Sequence, residues 1–148
     1  MFNTMLVPTD GSPLSDKAIA VAIEFAREGK RRIIAISVAE PYMFSMLDSN
    51  DDSSSATLYE EKTQQRALLN VQKVLDAAKA AEVECKSHVT RSFSPYDEII
   101  KAANEFKCDI IVMASHGRKG LNKLFLGSET QKVLAHSSIP VLVIREDK

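Results

Sequence analysis

The stretch DIIVMASHGRKGLNKLFLGSET, residues 109–130, decides the reading of the fold. After Asp109 it opens with an unbroken apolar run, the pattern of a strand buried on both faces rather than on one. From Ala114 to Thr130 follow three glycines, three cationic side chains and several hydroxyls before a helical pattern resumes. A strand-to-helix connection in an α/β unit usually takes about 2–6 residues. The excess asks for a purpose, and the residue types point to an anion.

Working outward, the same apolar pattern recurs. MLVPT (5–9) and RIIAISV (32–38) are short continuous apolar runs that read as buried strands. Between them Ser12 and Pro13 start a helix, with Pro at its first position. Ala18, Ile19, Ala22, Ile23 and Ala26 repeat at helical spacing, and Gly29 closes the segment. DSNDDSSS (48–55), acidic and serine-rich, is expected to be a mobile surface loop. The spacing predicts a long helix over about 56–81, with Leu68, Val71, Leu75 and Ala78 inward. VECKSHVT (83–90) reads as a third strand. In SPYD (94–97) Ser94 offers a cap, Pro95 a first turn and Asp97 a partner three residues on, close to a capping box. Ile99, Ile100, Ala103 and Phe106 form that helix's apolar face, and CDIIVMA (108–114) is the fourth strand. A helix over about 129–135 and a fifth strand, VLVIR, opened by Pro140, complete the chain.

Strands joined throughout by helices imply a parallel sheet covered on both faces. The expectation is one doubly wound, Rossmann-like α/β domain over residues 1–148, with no internal repeat and no linker. In such sheets ligands bind beyond the carboxyl ends of strands, where strand order reverses. Two loops stand at such ends: PTDGS (8–12) after the first strand and the glycine-bearing loop after the fourth. If those strands are neighbours, the loops line one crevice.

The second loop has the chemistry of an anion site. Its glycines allow close backbone approach and positive φ. Gly127 and Ser128 stand where the last helix begins, and a helix N-terminus offers free N–H groups and the positive end of its dipole. Arg118, Lys119 and the Ser128 hydroxyl could add charge-assisted bonds. Asp10 could accept bonds from ribose hydroxyls or a base amine, or it could serve only to cap the first helix or stabilise its turn. Ser128 with Gln131 also fits a capping box, and the two roles are compatible. Gly117 and Gly120 could be turn glycines, and His116 reads as shaping the loop rather than as catalytic.

Other chemistries are excluded by pattern. Nineteen basic against twenty acidic residues give a net charge of −1, so no global field draws the chain to nucleic acid or an anionic membrane. No signal peptide is evident and no apolar run approaches the roughly 18 residues of a membrane span, so a cytoplasmic protein is expected. Cys85 and Cys108 match no zinc spacing and read as buried thiols, while His88 and His136 gather into no metal site. DSNDD (48–52) imitates half a calcium loop, but Ser53 and Tyr59 stand where Gly and Glu are needed. There is no GxxxxGK[ST], no G-x-G-x-x-G after the first strand, and no legible catalytic set.

The segments MLVPTDGSPLSDKAIAVAIEFA and DIIVMASHGRKGLNKLFLGSETQKVLAHSSIPVLVIR resemble the universal stress protein family, across essentially the whole chain. Nucleotide-binding members carry G-x-x-G, nine residues, then G-[ST]. Here ASHG (114–117), the nine residues RKGLNKLFL and GS (127–128) hold that register, with Ala114 at the first glycine. The resemblance implies strand order 3-2-1-4-5 and an adenine nucleotide, ATP, ADP or AMP, with Mg²⁺ where phosphates need it. It implies adenosine held by Pro8, Thr9 and Asp10 with Val38 beside the base, and Met113 and Ala114 near the ribose. His116, Gly117, Arg118, Lys119 and Gly120 would line the phosphate path, and Gly127, Ser128 and Glu129 would contact phosphate. It also implies a homodimer through the fifth strand, at Val141 and Val143. A nucleotide-binding stress-response regulator is thereby expected; a slow ATPase using His116 or Asp10 and a non-nucleotide interaction module are the alternatives.

Overall fold

The computed structural model describes residues 1–44, 53–117 and 125–147. Among the described residues five strands, β1 (Thr4–Pro8), β2 (Arg32–Ala39), β3 (Cys85–Arg91), β4 (Ile110–Ala114) and β5 (Val141–Ile144), alternate with four helices. The helices are α1 (Pro13–Gly29), α2 (Ser53–Ala80), α3 (Pro95–Glu105) and α4 (Ser128–His136). All strand pairs are parallel and the sheet order is β3-β2-β1-β4-β5, so β1 and β4 are neighbours. The doubly wound fold and its implied order are what the chain adopts.

The continuous apolar strands are explained by their period of two. Met5 and Val7, Ile33 and Ala35, and Ile110 and Val112 enter one buried cluster beneath α1 and α2. Leu6, Ile34 and Ile36, and Ile111 and Met113 enter the opposite cluster beneath α3 and α4. Each successive side chain thus finds a helix-covered face, and the polar residues buried on the central strands, Thr4 and Ser37, are hydrogen-bonded through their hydroxyls. Among the described residues no helix is long and apolar enough to cross a membrane.

Helix starts follow their local residues more closely than helix ends. Ser12 caps α1, its Oγ accepting from the Ser15 N–H at 3.2 Å, with Pro13 next. The helix ends at Gly29 as expected, but the left-handed residue is the next one: Lys30 (φ 53°), whose N–H bonds the Ala26 carbonyl. Glu82 (φ 58°) and Lys107 (φ 54°) make the same turn before β3 and β4. The inward stripe of α2 is Ala67, Val71, Val74 and Ala78, whereas Leu68 is 50% exposed and Leu75 only half-buried. Alanine lets a helix lie close on a sheet, so the smaller residues face in and the leucines expected there do not. α2 also begins at Ser53, within the stretch expected to be loop; residues 45–52 lie outside those described.

Several further expectations are corrected. Ser94 forms no capping box, since its hydroxyl instead donates to the Asp97 carboxylate at 2.8 Å. On α3, Ala102 joins Ile99 and Ala103 in the core, while Ile100 is half-buried. Phe106 lies just past the helix, edge-on to His88. β3 ends at Arg91 rather than 90, and β5 stops at Ile144. β4 starts at Ile110 because Asp109 turns aside: its carboxylate accepts from the N–H groups of Asn3 (2.8 Å) and Thr4 (3.1 Å). Cys108 is buried as expected, but Cys85, on the edge strand, is half-buried. Burial raises both thiols to about 11, so both are protonated and poorly nucleophilic at neutral pH.

Candidate nucleotide-binding crevice

The end of β1 turns sharply into α1. Thr9 is buried, and every polar atom it carries is engaged. Its N–H donates to the Ile36 carbonyl (2.9 Å), its hydroxyl accepts from Ser15 Oγ (2.8 Å) and Gly11 N–H (3.2 Å), and its carbonyl accepts from Ser37 Oγ (2.8 Å). Ser37 Oγ in turn accepts from Asn70 Nδ2 on α2 at 3.3 Å. Thr9 therefore serves as the buried anchor of the turn, its side chain facing away from the crevice. Asp10 is exposed, and its Oδ1 accepts from the Ser12 N–H at 3.0 Å. Of the two roles open to Asp10 in its turn, it braces the backbone, while the helix cap belongs to Ser12. Gly11 has φ 78°, and only glycine takes that without strain.

β4 delivers the second loop beside this turn. Ala114, the residue at the first motif glycine, is in the strand and outside the left-handed region, so its methyl group costs the backbone nothing. Met113 is buried in the cluster under α3 and α4, and Val38, half-buried, packs against the same cluster. Gly117 comes so close to Asp10 that a Cβ there would collide with the Asp10 carboxylate. The two loops do line one crevice. Its described walls are Gly11, Ser12, Pro13, Leu14, His116, Gly117 and Glu146, around a volume of about 460 Å³. Arg118, Lys119 and Gly120 lie outside the described residues.

Gly127 is a glycine for contact, not for positive φ: its φ is −63°, and a Cβ would meet His116 Cα at 3.1 Å, His116 Cβ at 3.2 Å and Ser115 O at 3.3 Å. Neither described loop glycine, 117 or 127, uses the left-handed region anticipated for it. Gly127 donates its N–H to the Ser115 carbonyl at 2.7 Å, and Thr130 Oγ1 donates to the Ala114 carbonyl at 2.9 Å. These two bonds fasten the start of α4 to the end of β4. Ser128 is the first helical residue rather than the cap, and Gln131 Nε2 bonds the Leu126 carbonyl at 2.7 Å, so the expected capping box does not form. The N–H groups of Ser128 and Glu129 have no helical acceptor and stand at the positive end of the α4 dipole. α1 offers fewer: Pro13 has no N–H and Ser15 spends its own on Ser12. The Glu129 carboxylate turns the other way, accepting from the Tyr96 N–H at 2.9 Å and so capping α3.

Three participants were missed in the sequence. Ser115 is buried between β5 and α4, donating its N–H to the Ile144 carbonyl (2.8 Å) and accepting from Gly127. Its hydroxyl lies 3.3 Å from His116 Nδ1. Glu146, just past β5, approaches His116 Nε2 at 3.4 Å. Lys17 on α1 holds the same segment through the Arg145 carbonyl (3.1 Å) and Asp147 (2.8 Å). The long-range polar pairings depend on strand order and carry no local signal. Among the described residues no three His, Cys, Asp or Glu side chains converge to hold a metal.

The profile of the universal stress protein family matches residues 1–145. Universal stress protein MJ0531 of Methanocaldococcus jannaschii is 32% identical over 151 aligned positions, covering 100% of this chain and 85% of the relative. Among solved structures, hypothetical protein MJ0577 superposes with a TM-score of 0.83 at 24% identity, covering 100% and 99% of the two chains. A universal stress protein in complex with cAMP gives 0.72 at 23% identity, covering 99% of each chain. An Arabidopsis thaliana family protein with AMP bound gives 0.69 at 16%, covering 98% and 92%.

Proposed function

Because this chain belongs to the universal stress protein family, we propose that the crevice between β1 and β4 binds an adenine nucleotide and that occupancy regulates a partner in the stress response. The observation that carries the reading is the meeting of the β1–α1 turn and the β4–α4 loop, with the Asp10 carboxylate against Gly117. A side chain at residue 117 would take the place of the Asp10 carboxylate, and glycine lets the turn and the loop come together. Related folds in complex with cAMP and with AMP support adenine as the base. In this reading Pro8 and the Asp10 carboxylate face adenosine, Thr9 holds their turn, and Val38 flanks the base. Met113 and Ala114 floor the ribose. His116, Gly117, Arg118, Lys119 and Gly120 line the phosphate path, which ends at the N–H groups of Ser128 and Glu129 with Gly127 as the close-packed pivot.

ATP and AMP both fit this donor set, and Mg²⁺ entering with a triphosphate would be carried largely by the phosphates themselves. Asp10 already braces Ser12 N–H and His116 already contacts Ser115 and Glu146, which favours binding over hydrolysis. The chain would pair with a second copy along β5, where Leu142 is 40% exposed and Val141 and Val143 are half-buried. Thermal melts with AMP, cAMP and ATP, with and without Mg²⁺, test the nucleotide; ligand at about 100 times its Kd adds about 2.7 kcal/mol. No shift with any of them at millimolar concentration refutes the reading and leaves an interaction module. Val143→Lys should sediment as a monomer, and an unchanged dimer would reject the β5 interface.

A further inference from the structure

We propose that Glu146 is a specificity-determining residue of this crevice, ranking adenine nucleotides by the charge on their phosphates and favouring monophosphates over ATP. The inference rests on the nucleotide reading above. Lys17 grips the chain on both sides of residue 146, at the Arg145 carbonyl and the Asp147 carboxylate. That grip holds residues 145–147 across the N-terminal turn of α1. Glu146 is one-third exposed, and its Oε1 is 3.4 Å from His116 Nε2, whose side chain is only 11% exposed. It lines the same cleft as Gly11, Ser12 and Gly117.

A carboxylate there is favoured by the positive end of the α1 dipole. It thereby occupies, with a fixed negative charge, the side of His116 that a phosphate tail would approach. A ligand phosphate reaching that ring must either displace the carboxylate or bind beside it. Each extra charge at about 6 Å in a water-like dielectric weakens binding about threefold, so two extra charges cost ATP up to about tenfold relative to AMP. Salt shortens the reach of this effect, and about 10 Å at 0.1 M still includes the cleft.

Calorimetric titration of the intact chain with AMP and with ATP, in EDTA, tests the assignment. Glu146→Gln should tighten ATP about three- to tenfold and AMP less, raising the ATP/AMP affinity ratio. Glu28→Gln on the far end of α1, which removes the same charge away from the cleft, should leave the ratio unmoved. A ratio unmoved by Glu146→Gln, or ATP binding weakened by it, overturns the proposal. The outcomes separate the two readings. Nucleotide binding by the wild type with an unmoved ratio refutes only the role of Glu146. Binding by Glu146→Gln alone supports that role and shows the wild-type cleft to be closed to nucleotide. No binding by either protein removes both.

Discussion

Alanine at residue 127 and alanine at residue 117 should fail in different ways. The new methyl group at 127 would stand 3.1–3.3 Å from three atoms, two of them backbone, in a segment fastened on both sides. None of the three is a flexible side-chain end, so α4 or the 115–116 backbone must shift by a few tenths of an ångström. That shift strains the 2.7 Å bond from Gly127 N–H to Ser115. Overpacking of this kind costs about 1–3 kcal/mol, and alanine is also a poorer helix cap than glycine. The backbone itself adds nothing, because φ is −63°. We expect Gly127→Ala to lose about 2 kcal/mol, a fall in Tm of roughly 4–8 °C for a chain of this size. At Gly117 the colliding atom is the end of the exposed Asp10 side chain, which can swing away. Gly117→Ala should therefore melt within about 2 °C of wild type yet bind nucleotide more weakly, because Asp10 has moved. Urea and thermal unfolding followed by circular dichroism, with titration calorimetry beside them, read both effects. If Gly127→Ala melts like wild type, the close packing inferred at the head of α4 is wrong. If Gly117→Ala binds normally, Asp10 does not form the wall of the site.

Glu129→Ala removes the cap on Tyr96 N–H and should cost about 1 kcal/mol with little change in nucleotide affinity; a large affinity loss without destabilisation would place the carboxylate on the ligand instead. Lys107→Gly relieves a left-handed non-glycine residue (φ 54°), and should gain up to about 1 kcal/mol after the entropic cost of glycine, measured by urea unfolding. Cys85 and Cys108 have folded pKa values near 11 against 9.0 for the ordinary thiol, so the unfolded chain ionises first. Their contribution is complete below pH 9 and is lost as pH rises toward 11. A Cys85→Ala/Cys108→Ala chain should show a shallower alkaline loss than wild type, and parallel curves would contradict the burial argument.

Much of the fold was legible because its signals are local. An unbroken apolar run announces a strand covered twice, and Ser12–Pro13 announces a helix start whatever surrounds it. Errors arose where two local signals compete. Leucines outweigh alanines in any reading of α2, yet closeness to the sheet favours the small residues. Gly29 does end α1, but Lys30 and not the glycine takes the left-handed turn. Ser128 and Gln131 have capping-box spacing, but the helix starts one residue early for it: Gly127, packed against His116, is the cap and Ser128 is already helical.

The chain by itself determined that two loops, one with Asp10 and one rich in glycine, would stand at carboxyl ends of parallel strands. What their glycines are for could only be decided in three dimensions. Gly117 yields to a carboxylate 107 positions away along the chain, and Gly127 to a backbone brought back by the loop between them. The same holds for Glu129 on Tyr96, Asn70 on Ser37 and Glu146 on His116. The crossovers bring these pairs together, packing α2 back on β2 for Asn70 and laying β4 beside β1 with β5 beyond it for the others. Hydrogen bonds and ion pairs reach only a few ångströms, so their partners are chosen by strand order and not by distance along the sequence.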